Sequence, residues 1–93
     1  MLQLKDLYKI SQNNINGIVP KEFNDFRLEQ AEFDPHNEEW NVVVSFLLEN
    51  SNKSVNALAP IFTSLQYERV YKKLKLDSVG NLLGFYIYNN DSN

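Results

Sequence analysis

Chemistry in this chain has few places to start, and the first is His36, set in the run Asp34-Pro35-His36-Asn37-Glu38-Glu39. A histidine beside three carboxylates has the composition of a weak divalent-cation site, or of a general base with neighbours to tune it. The chain holds one His and no Cys, so it can assemble neither a conventional transition-metal ligand set nor a thiolate nucleophile. The same run is ordinary turn chemistry, because Pro fixes φ and Asp and Asn bond their own backbone. An enzyme or metal protein centred on His36 is therefore the weakest functional reading. Ser45 lies in the middle of a strand pattern without a G-x-S-x-G elbow, and reads as a small polar residue on an exposed strand face. Glu38 with Glu39, and Glu29 with Glu32, are spaced like surface carboxylates, and Gly17, Gly80 and Gly84 are too isolated to form a phosphate loop. The expectation is a protein without catalysis, resident cofactor, metal or small-molecule substrate.

One stretch stands above this background. From Tyr67 to Leu76, alternation puts Val70, Lys72, Leu74 and Leu76 on one face, and Tyr67, Arg69, Tyr71, Lys73 and Lys75 on the other. The next apolar run splits into Leu83, Phe85 and Ile87 against Leu82, Gly84, Tyr86 and Tyr88. Matching apolar to apolar across a hairpin pairs Leu76 with Leu83 and Leu74 with Phe85. It also sets Lys73 beside Tyr86 and Tyr71 beside Tyr88. Four tyrosines then interleave with Arg69, Lys73 and Lys75. Tyr and Arg are enriched at protein interfaces, rings with cations can also stack and hold single-stranded nucleic acid, and a solvated sheet guarded by lysines carries the same residues. The formal charge of −3 and a sequence pI near 5.0 put a protein partner, or a second copy, ahead of phosphate-rich nucleic acid. The leading reading is a non-catalytic protein-binding module, a small adaptor, inhibitor or immunity-type protein. Single-stranded nucleic-acid binding by the same face is the alternative.

The elements that must position this face follow from periodicity. Leu4, Leu7, Tyr8, Ser11, Ile15 and Ile18 recur at helical steps, which predicts a helix over about 2–15, ended by Gly17 and Pro20. Strands are expected at about 25–33, 40–49, 66–76 and 82–88. Phe26 and Leu28 differ in parity from Ala31 and Phe33, so the first strand either bulges near Glu29-Gln30 or is apolar on both faces. Trp40, Val42, Val44, Phe46 and Leu48 alternate strictly and mark the centre of the core. With Leu74, Leu76, Phe85 and Ile87 they are expected to pack against Leu4, Leu7 and Tyr8. Asp77-Ser78-Val79-Gly80-Asn81 is hairpin chemistry, with Gly80 available for positive φ. Residues 55–65, apolar but interrupted by Pro60, form a cover segment, either a short helical turn or irregular chain.

Short connections make neighbours antiparallel, so helix, hairpin, cover segment and hairpin give an α+β fold: an N-terminal helix packed on a four-stranded antiparallel meander. Ninety-three residues suit one domain over 1–93 with one modest core. Six Phe, five Tyr and one Trp against three Gly and three Pro argue for strands and against disorder. No apolar run approaches the roughly 20 residues of a membrane span, and the charged amino-terminal residues do not resemble a signal peptide. With no cysteine, the chain reads as soluble and cytoplasmic.

Three stretches carry a resemblance. Arg27-Leu28-Glu29-Gln30-Ala31-Glu32-Phe33-Asp34, the W-x-V-x-x-S-F strand Trp40-Asn41-Val42-Val43-Val44-Ser45-Phe46, and Tyr71-Lys72 followed by the Asp-x-x-Gly hairpin Asp77-Ser78-Val79-Gly80 resemble a diffuse set of small uncharacterised bacterial α+β proteins. Val44 departs from that pattern, where many members have Leu. The layout is similar to that of cystatin-like and PepSY-like domains. Each matched residue is one that a sheet needs for itself, so the resemblance implies a fold and transfers no site.

Overall fold

The computed structural model describes residues 2–49 and 67–88. Helix α1 (Leu4–Ile18) is followed by strands β1 (Asn24–Asp34), β2 (Glu39–Glu49), β3 (Tyr67–Asp77) and β4 (Leu82–Ile87). The strands form one antiparallel sheet in the order β1-β2-β3-β4, the α+β meander that the sequence predicts. The expected cover segment, 55–65, lies outside the described residues, as does the tail 89–93. Among the described residues no helix is long and apolar enough to cross a membrane.

The helix starts where Asp6 Oδ2 accepts the Gln3 backbone N–H at 2.9 Å, satisfying a donor that a helix start leaves without an intrahelical partner. It runs to Ile18, three residues past the expected stop. The Asn13-Asn14 pair and Gly17 lower helix propensity without breaking the ladder, whereas Pro20 cannot continue it. Leu7, Ser11 and Ile15 form the buried stripe. They meet Phe26 of β1, Trp40, Val42, Val44 and Phe46 of β2, and Leu74 and Leu76 of β3. Phe23 extends this core, with its ring centroid 5.0 Å from that of Phe46.

Three expected core members are corrected. Leu4 is 65% exposed: it shares the helical face of Leu7 and Ile15 but is the first residue of the helix, at the end of that stripe. Tyr8 lies at the margin, its ring edge-on to Phe26 at 5.2 Å and its hydroxyl donating to the Phe26 carbonyl at 3.3 Å. Ile87 is 82% exposed: parity assigns it to the helix side, but α1 packs mainly against β1, so the outer edge of that side is left uncovered by the described elements.

Two irregularities shape β1. Register shifts fall between Asn24 and Arg27 and between Leu28 and Gln30, and the second resolves the parity switch as a bulge at Glu29. Asp25, in the first shift, has φ 53°, left-handed backbone that Asp tolerates better than most residues. In the β3–β4 hairpin, Leu74 faces Phe85 and Lys73 faces Tyr86 as expected, but Leu76 faces Leu82 rather than Leu83. A register shift next to Lys75 makes Leu83 the extra residue, which periodicity alone does not reveal.

The two tight turns share one device. Asp34 Oδ1 accepts the His36 N–H at 2.9 Å while Oδ2 accepts the Asn37 amide at 3.0 Å. Asp77 Oδ1 accepts the Val79 and Asn81 N–H groups at 3.0 and 2.8 Å, and its Oδ2 takes the Asn81 side-chain amide. The Asn37 side-chain amide, then the His36 N–H, hold the Asp34 carboxyl below the usual 3.8, and the Asn81 N–H and side-chain amide do the same for Asp77. Gly80 takes φ 102°, and a Cβ there would strike Ile10 Cδ1 at 2.7 Å. Both its conformation and its packing require glycine.

Candidate functional site on the face opposite the helix

No described element covers the second face of the sheet, yet Val43 and Ser45 on it are as buried as the core valines, Ser45 at 0% exposure. The sheet's own long side chains do the covering. Ser45 Oγ donates to Glu29 Oε2 at 2.6 Å and accepts from Arg69 Nη1 at 2.7 Å. The Arg69 guanidinium also pairs with the Asp25 carboxylate and donates to the Asp25 carbonyl at 3.3 Å. Arg27 reaches the same Asp25 carboxylate at 2.8 Å. A chain of charge-assisted bonds thus ties β1, β2 and β3 together.

This geometry divides the expected partner residues. Tyr71 sits opposite Ser45, Lys73 opposite both Val43 and Tyr86, and Lys75 opposite Asn41 and Gly84. The Tyr88 N–H donates to the Tyr71 carbonyl at 3.4 Å, which brings the two rings to adjacent strands. Together with Glu29, Gln30 and the Val43 floor, Tyr71 and Tyr88 line an open groove of about 220 Å³. Tyr86 folds back so that its ring fills the space a Cβ at Gly84 would need, shielding a strand glycine with an aromatic ring. Lys75 Nζ turns toward Glu39 at 3.7 Å. Tyr67 is exposed at the far end of β3. Arg69 is different: its guanidinium is committed to the internal network and only 18% of its side chain is exposed.

Sequence reasoning missed Glu29, Gln30 and Val43 as groove residues, and it misplaced Ser45 as exposed. The bulge at Glu29 delivers a carboxylate to this face out of turn with its neighbours. The one signal for it was the parity switch between Leu28 and Ala31. Apart from Arg27, which pairs with Asp25, charge is also partitioned: Asp25, Glu29, Glu32, Asp34 and Glu39 come from β1 and β2, while Arg69, Lys73 and Lys75 come from β3. His36 projects from the exposed β1–β2 turn. Among the described residues no group of three His, Cys, Asp or Glu side chains is arranged to hold a metal ion. No family model, curated protein or solved structure matches the chain.

Proposed function

We propose that the protein is a non-catalytic protein-binding module, a small adaptor, inhibitor or immunity-type protein. In this reading it receives a partner on Tyr71, Tyr88, Lys73 and Tyr86 around the Val43 groove. The observation that carries it is that groove: two tyrosines on one wall, a carboxylate and an amide on the other, and an apolar floor. A partner side chain entering it gains ring contact from Tyr71 and Tyr88 and a polar anchor at Glu29 or Gln30, the pairing of apolar area with polar handles common at hot spots. The carboxylates sharing the face with the cations weigh against single-stranded nucleic acid, since phosphates would approach Glu29 and Glu32 as well as Lys73. A chain free of cysteine fits a reducing cytoplasm, where the same reading places it.

The test is comparative capture of host proteins by the native chain and by a Tyr71→Ala, Tyr88→Ala double variant of matched stability. A partner retained by the first and lost by the second is expected, with affinity reduced about 30-fold or more. Equal recovery on both would refute the face assignment. Oligonucleotide affinity that falls steeply with salt would transfer the face to the nucleic-acid reading.

A further inference from the structure

The two edges of the sheet are built on opposite principles. Edge strand β1 holds Asp25, Arg27, Glu29, Glu32 and Asp34 within eleven residues, with two register shifts and a left-handed residue. Those are devices by which natural sheets keep an edge from pairing with foreign strands. Edge strand β4, Leu-Leu-Gly-Phe-Tyr-Ile, has no charge and no proline. Its Leu83 is 51% and its Ile87 82% exposed. A short, uncharged strand rich in β-formers, at an edge that no described element pairs, is the pattern that recruits another strand.

Backbone alternation says which groups are free to do so. The Tyr88 N–H points to Tyr71 on β3; in an antiparallel ladder the amides of Tyr86 and Gly84 point the same way, and those of Phe85 and Ile87 point outward. We propose that β4 pairs antiparallel with β4 of a second copy, across a two-fold axis at Phe85, to make one continuous eight-stranded sheet. Phe85 exchanges both backbone hydrogen bonds with its counterpart, and Ile87 falls beside Leu83 of the second copy. The two most exposed apolar side chains of the strand then cover each other, and tyrosine remains on the opposite face.

The occupant is argued from charge. Of the β3 cations beside this edge, Lys75 turns toward Glu39 and Lys72 lies 5.7 Å over the Phe85 ring, while Lys73 stands opposite Tyr86 on the groove face, away from Leu83 and Ile87, so they do not call for an acidic strand. A strand without charge meets its own copy with no like-charge contact. The two β3 strands would stand three strand spacings apart, about 14 Å, beyond the Debye length of about 8 Å. So short an edge buries less than the roughly 1,200 Å² of a standard interface, which makes the association weak and concentration-dependent.

Sedimentation equilibrium across about 10 μM to 1 mM, in parallel with amide hydrogen exchange, tests this directly. The native chain should dimerise, and the Phe85 and Ile87 amides should gain protection as concentration rises. Ile87→Lys, at a site solvent already reaches, should weaken dimerisation at least tenfold with an unchanged melting temperature. Ile87→Pro, which removes an outward N–H, should do the same. Tyr71→Ala with Tyr88→Ala should leave the dimer intact, so this edge and the groove fail separately. A chain monomeric at 1 mM overturns the proposal. So does a dimer indifferent to both Ile87 variants, or protection of the two amides that does not depend on concentration, which would mean that the edge is covered within one chain.

Discussion

The two faces of the sheet reach the same burial on β2 by different means. On one, Val42, Val44 and Phe46 are sealed by helix α1 and its Leu7–Ile15 stripe. On the other, Ser45 is sealed by Glu29 and Arg69 from the neighbouring strands, and Val43 lies between Gln30 and Lys73. The first is dry packing, whose worth follows buried apolar area and close fit. The second is a polar lid that stays closed only while its hydrogen bonds are made. One face is therefore committed to stability, and the other can be firm beneath and chemically varied on top.

Phe46→Ala should break the helix side most severely, by about 3–5 kcal/mol, measured as a shift of the denaturant midpoint. Trp40 reports the same face, since a buried indole emits at shorter wavelength and should shift red on unfolding. A loss near 1 kcal/mol for Phe46→Ala would mean that the helix contributes little to covering β2. Arg69→Ala attacks the polar lid. It leaves the Ser45 hydroxyl oxygen and the carboxylate and carbonyl of Asp25 without their shared donor and should cost about 1.5–3 kcal/mol. Because the Asp25 carboxylate is itself partly open to solvent, added salt should screen its ion pair and remove part of that effect, leaving the hydrogen bond to the buried Ser45. An Arg69→Ala variant as stable as the parent would mean that the network is ornament and that Ser45 is buried by something else.

A change of opposite sign sharpens the contrast. Ser11 Oγ is buried on the helix side and has no hydrogen-bond partner among the described residues, so it is a polar group placed where only packing counts. Ser11→Ala should raise stability by about 1 kcal/mol, from relieved desolvation and better helix propensity. A loss would show that the hydroxyl is satisfied after all. Truncating Tyr71 and Tyr86 together should cost only a few tenths to about 1 kcal/mol, as exposed cross-strand pairs do, however large its effect on partner binding. The smallest effect concerns acid. Asp34 and Asp77 titrate below 3.8 in the folded protein, so their contribution is complete above the unfolded value of about 3.9 and fades as pH falls through the lower, folded one. Asp77→Asn should flatten the decline of stability below pH 4 relative to the parent, and an unchanged slope would remove the turn from the acid response.

Most of the fold could be read from the chain because strict alternation from Trp40 to Leu48 leaves one choice of the side that meets the helix, and because Asp77 and Gly80 together specify a hairpin. What stayed hidden has a common cause. Bulges at Asp25-Phe26 and Leu83 insert a residue without disturbing composition, so a two-residue period carries the reader to the wrong partner, as it did for Leu76. The burial of Ser45 was illegible for another reason: it depends on Arg69 and Glu29 meeting from strands far apart in sequence. The tyrosine–lysine row was visible at once, being local. The groove that gives it shape was not, because Glu29 and Gln30 reach it from the other side of the sheet.

The contact of Ile10 with Gly80 has a consequence for the order of events during folding. The helix forms from local interactions, but part of the surface it rests on is the turn that joins the last two strands. The β1–β2 and β2–β3 pairings lie between them in the chain, so this contact closes a longer loop than either and belongs late in the reaction. Until β3 and β4 have met, α1 can rest on β1 but lacks this part of its seat, and a chain still being synthesised holds an amphipathic helix with part of its apolar stripe open to the surroundings.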